Sequence, residues 1–125
     1  MYLLDTNIFL EILLGHEKQD ACKKFINKHS EKCQLSDFTL YSIGIALFRK
    51  NLFEEYGDFY NDVISIITLH ALPLNKHSEL IKTACKLKLD YDDAYQYEVA
   101  KHYNLIIVTM DKDFKAVKDI DVMFL

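Results

Sequence analysis

The chain is short of everything that would make it other than one packed domain. Its three cysteines, Cys22, Cys33 and Cys85, are an odd set without Cys-x-x-Cys spacing, which argues against both a disulfide framework and a zinc site. They read as reduced core thiols. Three glycines and one proline leave few places to break the chain, and there is no linker, repeat or low-complexity tract. No apolar stretch approaches the roughly 18 uninterrupted residues of a membrane span. The start, Met1-Tyr2-Leu3-Leu4-Asp5, has no basic n-region, so the expected location is the cytoplasm, away from any membrane. The five histidines never fall at His-x-x-x-His spacing and read as surface or core residues. Positive charge is also in deficit: 15 Lys and Arg stand against 19 Asp and Glu, a formal net charge of -4. Phosphate affinity rests mainly on lysine and arginine, so a generally basic nucleic-acid binder is excluded, though an enzyme is not.

What is present is apolar and periodic. With 50% hydrophobic residues, the 125-residue chain can bury one real core, and a single domain over 1–125 is expected. Tyr2 to Leu4 reads as a strand running into a helix from about Thr6 to Leu14, with Gly15 as its C-cap. Ala21, Cys22, Phe25, Ile26 and His29 recur at helical spacing through about Glu17 to Glu31. Cys33 to Leu35 is a short strand, followed by a helix capped by Ser36 or Asp37 that continues to about Asn51. Its apolar residues wrap nearly all round, which predicts deep burial. Phe53, Tyr56, Phe59, Tyr60, Val63, Ile64 and Ile67 form a helical core stripe. Leu69 to Leu74, interrupted by Pro73, reads as an edge strand, and Asn75 or Ser78 can cap the helix that follows. Asp90 can cap a helix from about Tyr91 to Tyr103, with Asp93, Tyr97 and Ala100 on one face. Leu105 to Val108 is the strongest strand signal, and Val122 to Leu125 a weak one. Strands alternating with long helices predict a three-layer α/β/α domain with a central parallel sheet of about four or five strands.

Chemistry concentrates in three aspartates. Asp5 ends the first strand, Asp111 follows the strongest one, and Asp93 lies in the first turn of a helix. Each has a structural role open to it: Asp5 as an N-cap, Asp93 as an anion at a helix start, Asp111 as the cap of a turn at Lys112-Asp113-Phe114. All three nevertheless occupy the sheet edge where α/β proteins bind ligands. Converging carboxylates make a hard oxygen site suited to Mg²⁺ or Mn²⁺. The lysines at 23, 24, 28 and 32, and at 82, 86 and 88, read as solvated helix faces; Lys112, Lys115 and Lys118 lie beside the aspartate site.

Leu3-Leu4-Asp5-Thr6-Asn7 at the N-terminus, Asp93-Ala94 opening a late helix, and Val108-Thr109-Met110-Asp111-Lys112-Asp113-Phe114 near the end resemble the PIN domain, as in VapC-type toxins. The resemblance covers essentially the whole chain in length and element order. It implies a Mg²⁺- or Mn²⁺-dependent ribonuclease in which acidic side chains surround one or two ions that activate water for attack on an RNA phosphodiester. On that pattern Asp5, Asp93 and Asp111 are the metal-binding and catalytic residues. Thr109 would orient Asp111 or a water, Asn7 would support Asp5, and Asp113 would be an auxiliary ligand. The resemblance also implies a homodimer and a small antitoxin as partner.

One departure stands out. The family usually carries a glutamate three residues beyond a threonine or serine on the helix after the second strand, and here Thr39-Leu40-Tyr41 leads to Ser42. Asp92, Asp37 and Glu11 are the carboxylates available to compensate, although Asp92 is expected about 100° from Asp93 around its helix. A degenerate PIN fold that binds RNA or protein without cutting is therefore the alternative. A receiver-like or phosphohydrolase domain fits less well, because Asp5-Thr6-Asn7 offers only one aspartate after the first strand.

Overall fold

A computed structural model describes residues 1–125. Strand β1 (Tyr2–Leu4) leads into α1 (Thr6–Leu13) and α2 (Gln19–His29), then β2 (Cys33–Ser36), α3 (Asp37–Arg49), α4 (Phe53–Ile64) and β3 (Thr68–His70). The second half contains α5 (His77–Leu87), α6 (Tyr91–Tyr103), β4 (Ile106–Thr109) and β5 (Val122–Phe124). The strands form one sheet in the order β3-β2-β1-β4-β5, and every pairing is parallel. This is the three-layer α/β/α arrangement expected, with five strands.

The layers follow from strand alternation, since successive side chains point to opposite faces. Leu3 and Ile107 turn towards one core with Leu80, Val99 and Phe114. Their neighbours Leu4 and Val108 turn to the other, with Ile8, Leu35, Ile43 and Phe59. The two cores contain 13 and 12 buried residues, so neither face of the sheet is left to solvent. No helix is long and apolar enough to cross a membrane.

The chain order places the site. The chain moves outward from β1 through β2 to β3, then returns to set β4 on the other side of β1. The carboxyl ends of β1 and β4 are thus the point where the winding reverses and a crevice opens between the following loops. Asp5 follows β1 directly, and its backbone N–H extends the ladder by donating to the Val108 carbonyl at 3.0 Å.

Several boundaries differ from the sequence reading for identifiable reasons. The strand expected at Leu69 to Leu74 lies at Thr68–His70, because Pro73 has no N–H to donate and instead precedes a 3-10 turn at Leu74–Lys76. That turn feeds α5 directly, and neither Asn75 nor Ser78 caps it. Asp90 precedes α6 without a side-chain capping bond. Gly15, at φ +66°, takes the left-handed conformation expected after α1.

Burial corrects three further expectations. Helix α3 is not covered all round: Tyr41, Ile45 and Phe48 form an exposed stripe. On α4, Phe59 and Val63 are buried while Phe53, Tyr60 and Ile64 are exposed, so its stripe is only partly core. Cys22 and Cys33 are buried, but Cys85 is exposed on α5 and is not a core thiol.

Candidate metal centre

Asp5 is held from three directions. The Thr6 backbone N–H donates to its Oδ1 at 2.7 Å, the N-cap bond of α1. Asn7 Nδ2 and the Thr109 hydroxyl donate to Oδ2 at 2.8 and 2.6 Å. Thr109 Oγ1 in turn accepts the Asp111 backbone N–H at 2.9 Å, and Asn7 Oδ1 accepts the Met110 N–H at 3.3 Å. One hydroxyl and one amide therefore join the loop after β1 to the loop after β4. Thr109 orients the backbone of Asp111, while its hydrogen serves Asp5.

Asp111 caps the turn that follows, accepting the Asp113 N–H at 2.9 Å. That turn brings Asp113 round beside Asp93. Carboxylate oxygens of Asp93, Asp111 and Asp113 lie within 4.8 Å of one another. Asp93 is buried, Asp111 half-buried and Asp113 exposed, so the set grades from the cleft floor to solvent. The sequence reading treated Asp113 as auxiliary; the geometry groups it with Asp93 and Asp111 more tightly than Asp5.

Electrostatics mark the same place. Burial, and then the charges of Asp92, Asp5, Asp111 and Asp113, push the Asp93 carboxyl up to about 7. Asp5 is also raised, by burial first, against the opposing hydrogen bonds from Thr109, Thr6 and Gln96. Apposed carboxylates raise one another in this way when no cation lies between them.

The cleft has a volume of about 270 Å³ and is lined by Asp5, Thr6, Asn7, Leu10, Phe38, Ser42, Asp92, Asp93, Gln96 and Asp111. It contains no lysine or arginine. Asp92 also lines the cleft, although about 100° separates it from Asp93 around the helix. The opening lies over the first turn of α6, where neighbouring residues can both border it.

Gln96, one turn beyond Asp93, is the residue sequence reasoning missed. It is 2% exposed, and its Nε2 donates to Thr39 Oγ1 at 2.5 Å, tying α6 to α3 just below Ser42. Its Oε1 is buried and has no partner. The i, i+3 spacing from Asp93 was the available signal. Thr39 is missed likewise; its hydroxyl group also meets Ser36 and Thr6 at 3.2 and 3.4 Å.

The other carboxylates named for compensation are engaged elsewhere. Asp37 Oδ1 accepts the Phe38 N–H and the Tyr95 hydroxyl at 2.7 and 2.8 Å. Glu11 accepts the Lys18 N–H at 2.7 Å and pairs with His16 at 3.3 Å. A larger groove of about 580 Å³ between α5 and α6 contains lysines, but Lys82 pairs with Glu79 and Lys101 with Asp119. No comparable convergence of ligand atoms occurs there.

The donor set suits a hard divalent cation: three carboxylates close enough to share one ion, a fourth fixed nearby, and a lining residue, Gln96, whose buried amide oxygen is unpaired. Comparison with known proteins points the same way. The model of the PIN domain matches residues 2–120. The chain belongs to the PIN domain family. Members of this family are generally nucleases. Among solved structures, this PIN domain resembles VapBC2 from Rickettsia felis bound to a promoter DNA fragment, at 15% identity and a TM-score of 0.81, over 99% of this chain and 98% of that one. It also resembles the VapC20 toxin of Mycobacterium tuberculosis, which cleaves the sarcin-ricin loop, at 12% identity and a TM-score of 0.83, over 98% and 99% of the two chains. FitAcB from Neisseria gonorrhoeae is 23% identical, with a TM-score of 0.70 over 98% and 96%. No curated protein matches by sequence.

Proposed function

We propose that this PIN chain, a single domain over residues 1–125, is a divalent-metal-dependent endoribonuclease hydrolysing RNA phosphodiester bonds, and the toxin of a toxin-antitoxin pair. The observation that carries the reading is the convergence of Asp93, Asp111 and Asp113 within 4.8 Å, beside a fixed Asp5, in a cleft without a basic side chain. Bound Mg²⁺ or Mn²⁺ supplies an activated water and offsets charge developing on the phosphate.

The protein's own groups do the rest. Asp93, Asp111, Asp113 and Asp5 hold the ion. Asn7, Thr109 and the Thr6 N–H keep Asp5 from rotating, so its orientation is set before substrate arrives. An RNA phosphate approaching the apo cleft meets only like charge, so substrate binding is conditional on the cation. Lys112 and Lys115, exposed on the turn after Asp111, would meet flanking phosphates.

The structural neighbours include VapBC from Salmonella typhimurium and a toxin-antitoxin complex from Klebsiella pneumoniae. The exposed stripe of Tyr41, Ile45 and Phe48, continued by Phe53, Tyr60 and Ile64, is the apolar surface that supports a protein partner here, a small antitoxin together with homodimerisation. Cytoplasmic action follows from an RNA target.

Purified protein incubated with a structured RNA in Mg²⁺ or Mn²⁺, beside EDTA and an Asp93→Asn control, tests the activity. Cutting that requires metal and is lost in the variant is the expected result. The second reading, a non-cleaving RNA- or protein-binding module, is favoured by the cleft position of Ser42, which places a neutral hydroxyl on the α3 wall. Intact RNA throughout, from folded protein free of inhibitor, would select it.

A further inference from the structure

Two features of the cleft meet at its α6 wall. Asp92 lines the cleft, and its carboxylate has no hydrogen-bond or ion-pair partner, whereas Asp37 and Glu11 are both committed to structural bonds. Gln96, four residues on and therefore on the same side of α6, brings a buried carboxamide oxygen that nothing satisfies. Leaving such an oxygen without a partner is costly, and a ligand in the cleft is what would satisfy it, directly or through its water. On the facing α3 wall the only polar group lining the cleft is the short, neutral Ser42. A cation seated against Asp93, Asp111 and Asp113 therefore finds its remaining negative charge on α6, not on α3.

We propose that Asp92 is a cation-binding residue of this cleft, supplying from the α6 wall the carboxylate that Ser42 does not supply from α3. The inference rests on the metal-centre reading above and extends it to a residue that reading does not use. A first-turn aspartate also complements the helix dipole, and that role alone would be structural.

The test is Mn²⁺ affinity, measured by calorimetry and by electron paramagnetic resonance of free Mn²⁺, with circular dichroism to establish folding. The proteins are wild type, Asp92→Asn, Ser42→Glu, the double variant and Asp93→Asn. Asp92→Asn should weaken Mn²⁺ binding roughly tenfold or more. Ser42→Glu in that background should recover most of the loss, because it returns a carboxylate to the opposite wall. If Asp93→Asn abolishes binding while Asp92→Asn binds as wild type does, Asp92 serves only its helix; the proposal is overturned and the metal centre stands. The proposal is equally overturned if Asp92→Asn binds weakly but Ser42→Glu rescues nothing. Should Asp93→Asn bind Mn²⁺ as wild type does, the metal centre itself is wrong and this inference falls with it.

Discussion

Replacing Asp93 by asparagine should stabilise the metal-free protein while destroying its metal site, and the two effects separate by pH. The carboxyl is raised from 3.8 to about 7, chiefly by burial and then by four neighbouring aspartates. Between those values the folded state binds the proton more tightly than the unfolded chain does. This contribution to stability is therefore fully present below pH 3.8 and is lost as pH rises through 7. Three units at about 1.4 kcal/mol each set an upper bound of about 4 kcal/mol. Asp93 is only 8% exposed, but it borders an open cleft, and screening there reduces the working figure to about 2 kcal/mol. For a domain of this size that is roughly 8 °C in melting temperature.

Asparagine keeps the shape and removes the charge, so Asp93→Asn should melt roughly 8 °C above wild type at pH 8.5 in EDTA. At pH 5 the folded carboxyl is protonated but the unfolded one is already ionised, so the gap should narrow to roughly 40% of its size, closing only below pH 3.8. Saturating Mn²⁺ at pH 8.5 should reverse the order, because only wild type gains the ion. Differential scanning calorimetry at the two pH values, with and without Mn²⁺, reads all of this. A variant less stable than wild type at pH 8.5, or a gap of equal size at both pH values, would refute the argument from charge crowding.

Three other outcomes follow from the same structure. Mn²⁺ at a hundredfold excess over its dissociation constant should add about 2.7 kcal/mol to wild-type stability; a melting temperature that ignores the ion would count against the metal centre. Thr109→Val keeps the volume but takes a donor from buried Asp5 and an acceptor from the Asp111 N–H, so it should cost about 1–3 kcal/mol in urea unfolding. An unchanged urea midpoint would show that the bridge between the two loops is dispensable. A thiol reagent should label Cys85 alone in the native protein, because Cys22 and Cys33 are buried and burial holds the Cys33 thiol up to about 11; two or more fast equivalents would contradict the packing around β2.

The element order was legible because hydrophobic period and strand length agreed along the chain, and the carboxyl-end rule then located Asp5 and Asp111 without any coordinates. Asp113 and Asp92 were harder. Their positions depend on a 3-10 turn and on where the cleft opens over a helix end, and neither is a property of spacing alone. Gln96 and Thr39 were hidden because a buried polar side chain has meaning only through its partner, here 57 residues away.

The burial of α3 and that of α6 explain each other. Helix α3 is apolar on nearly every side yet exposes Tyr41, Ile45 and Phe48, whereas α6 is polar enough to read as one-sided yet is buried without interruption from Asp93 to Ala100. What permits the second is partner by partner satisfaction: Tyr95 with Asp37 and the Leu72 N–H, Gln96 with Thr39, Tyr97 with Asp119, Glu98 with Thr83. The bonds reach α3, α5 and the loops at Leu72 and Asp119, so α6 is fixed in rotation as well as position. Rotation is what the candidate site at its first turn requires, since turning α6 would change which of its side chains border the cleft. The polar interior of α6 is thus part of the candidate site's geometry, whereas α3 keeps an apolar exterior at Tyr41, Ile45 and Phe48.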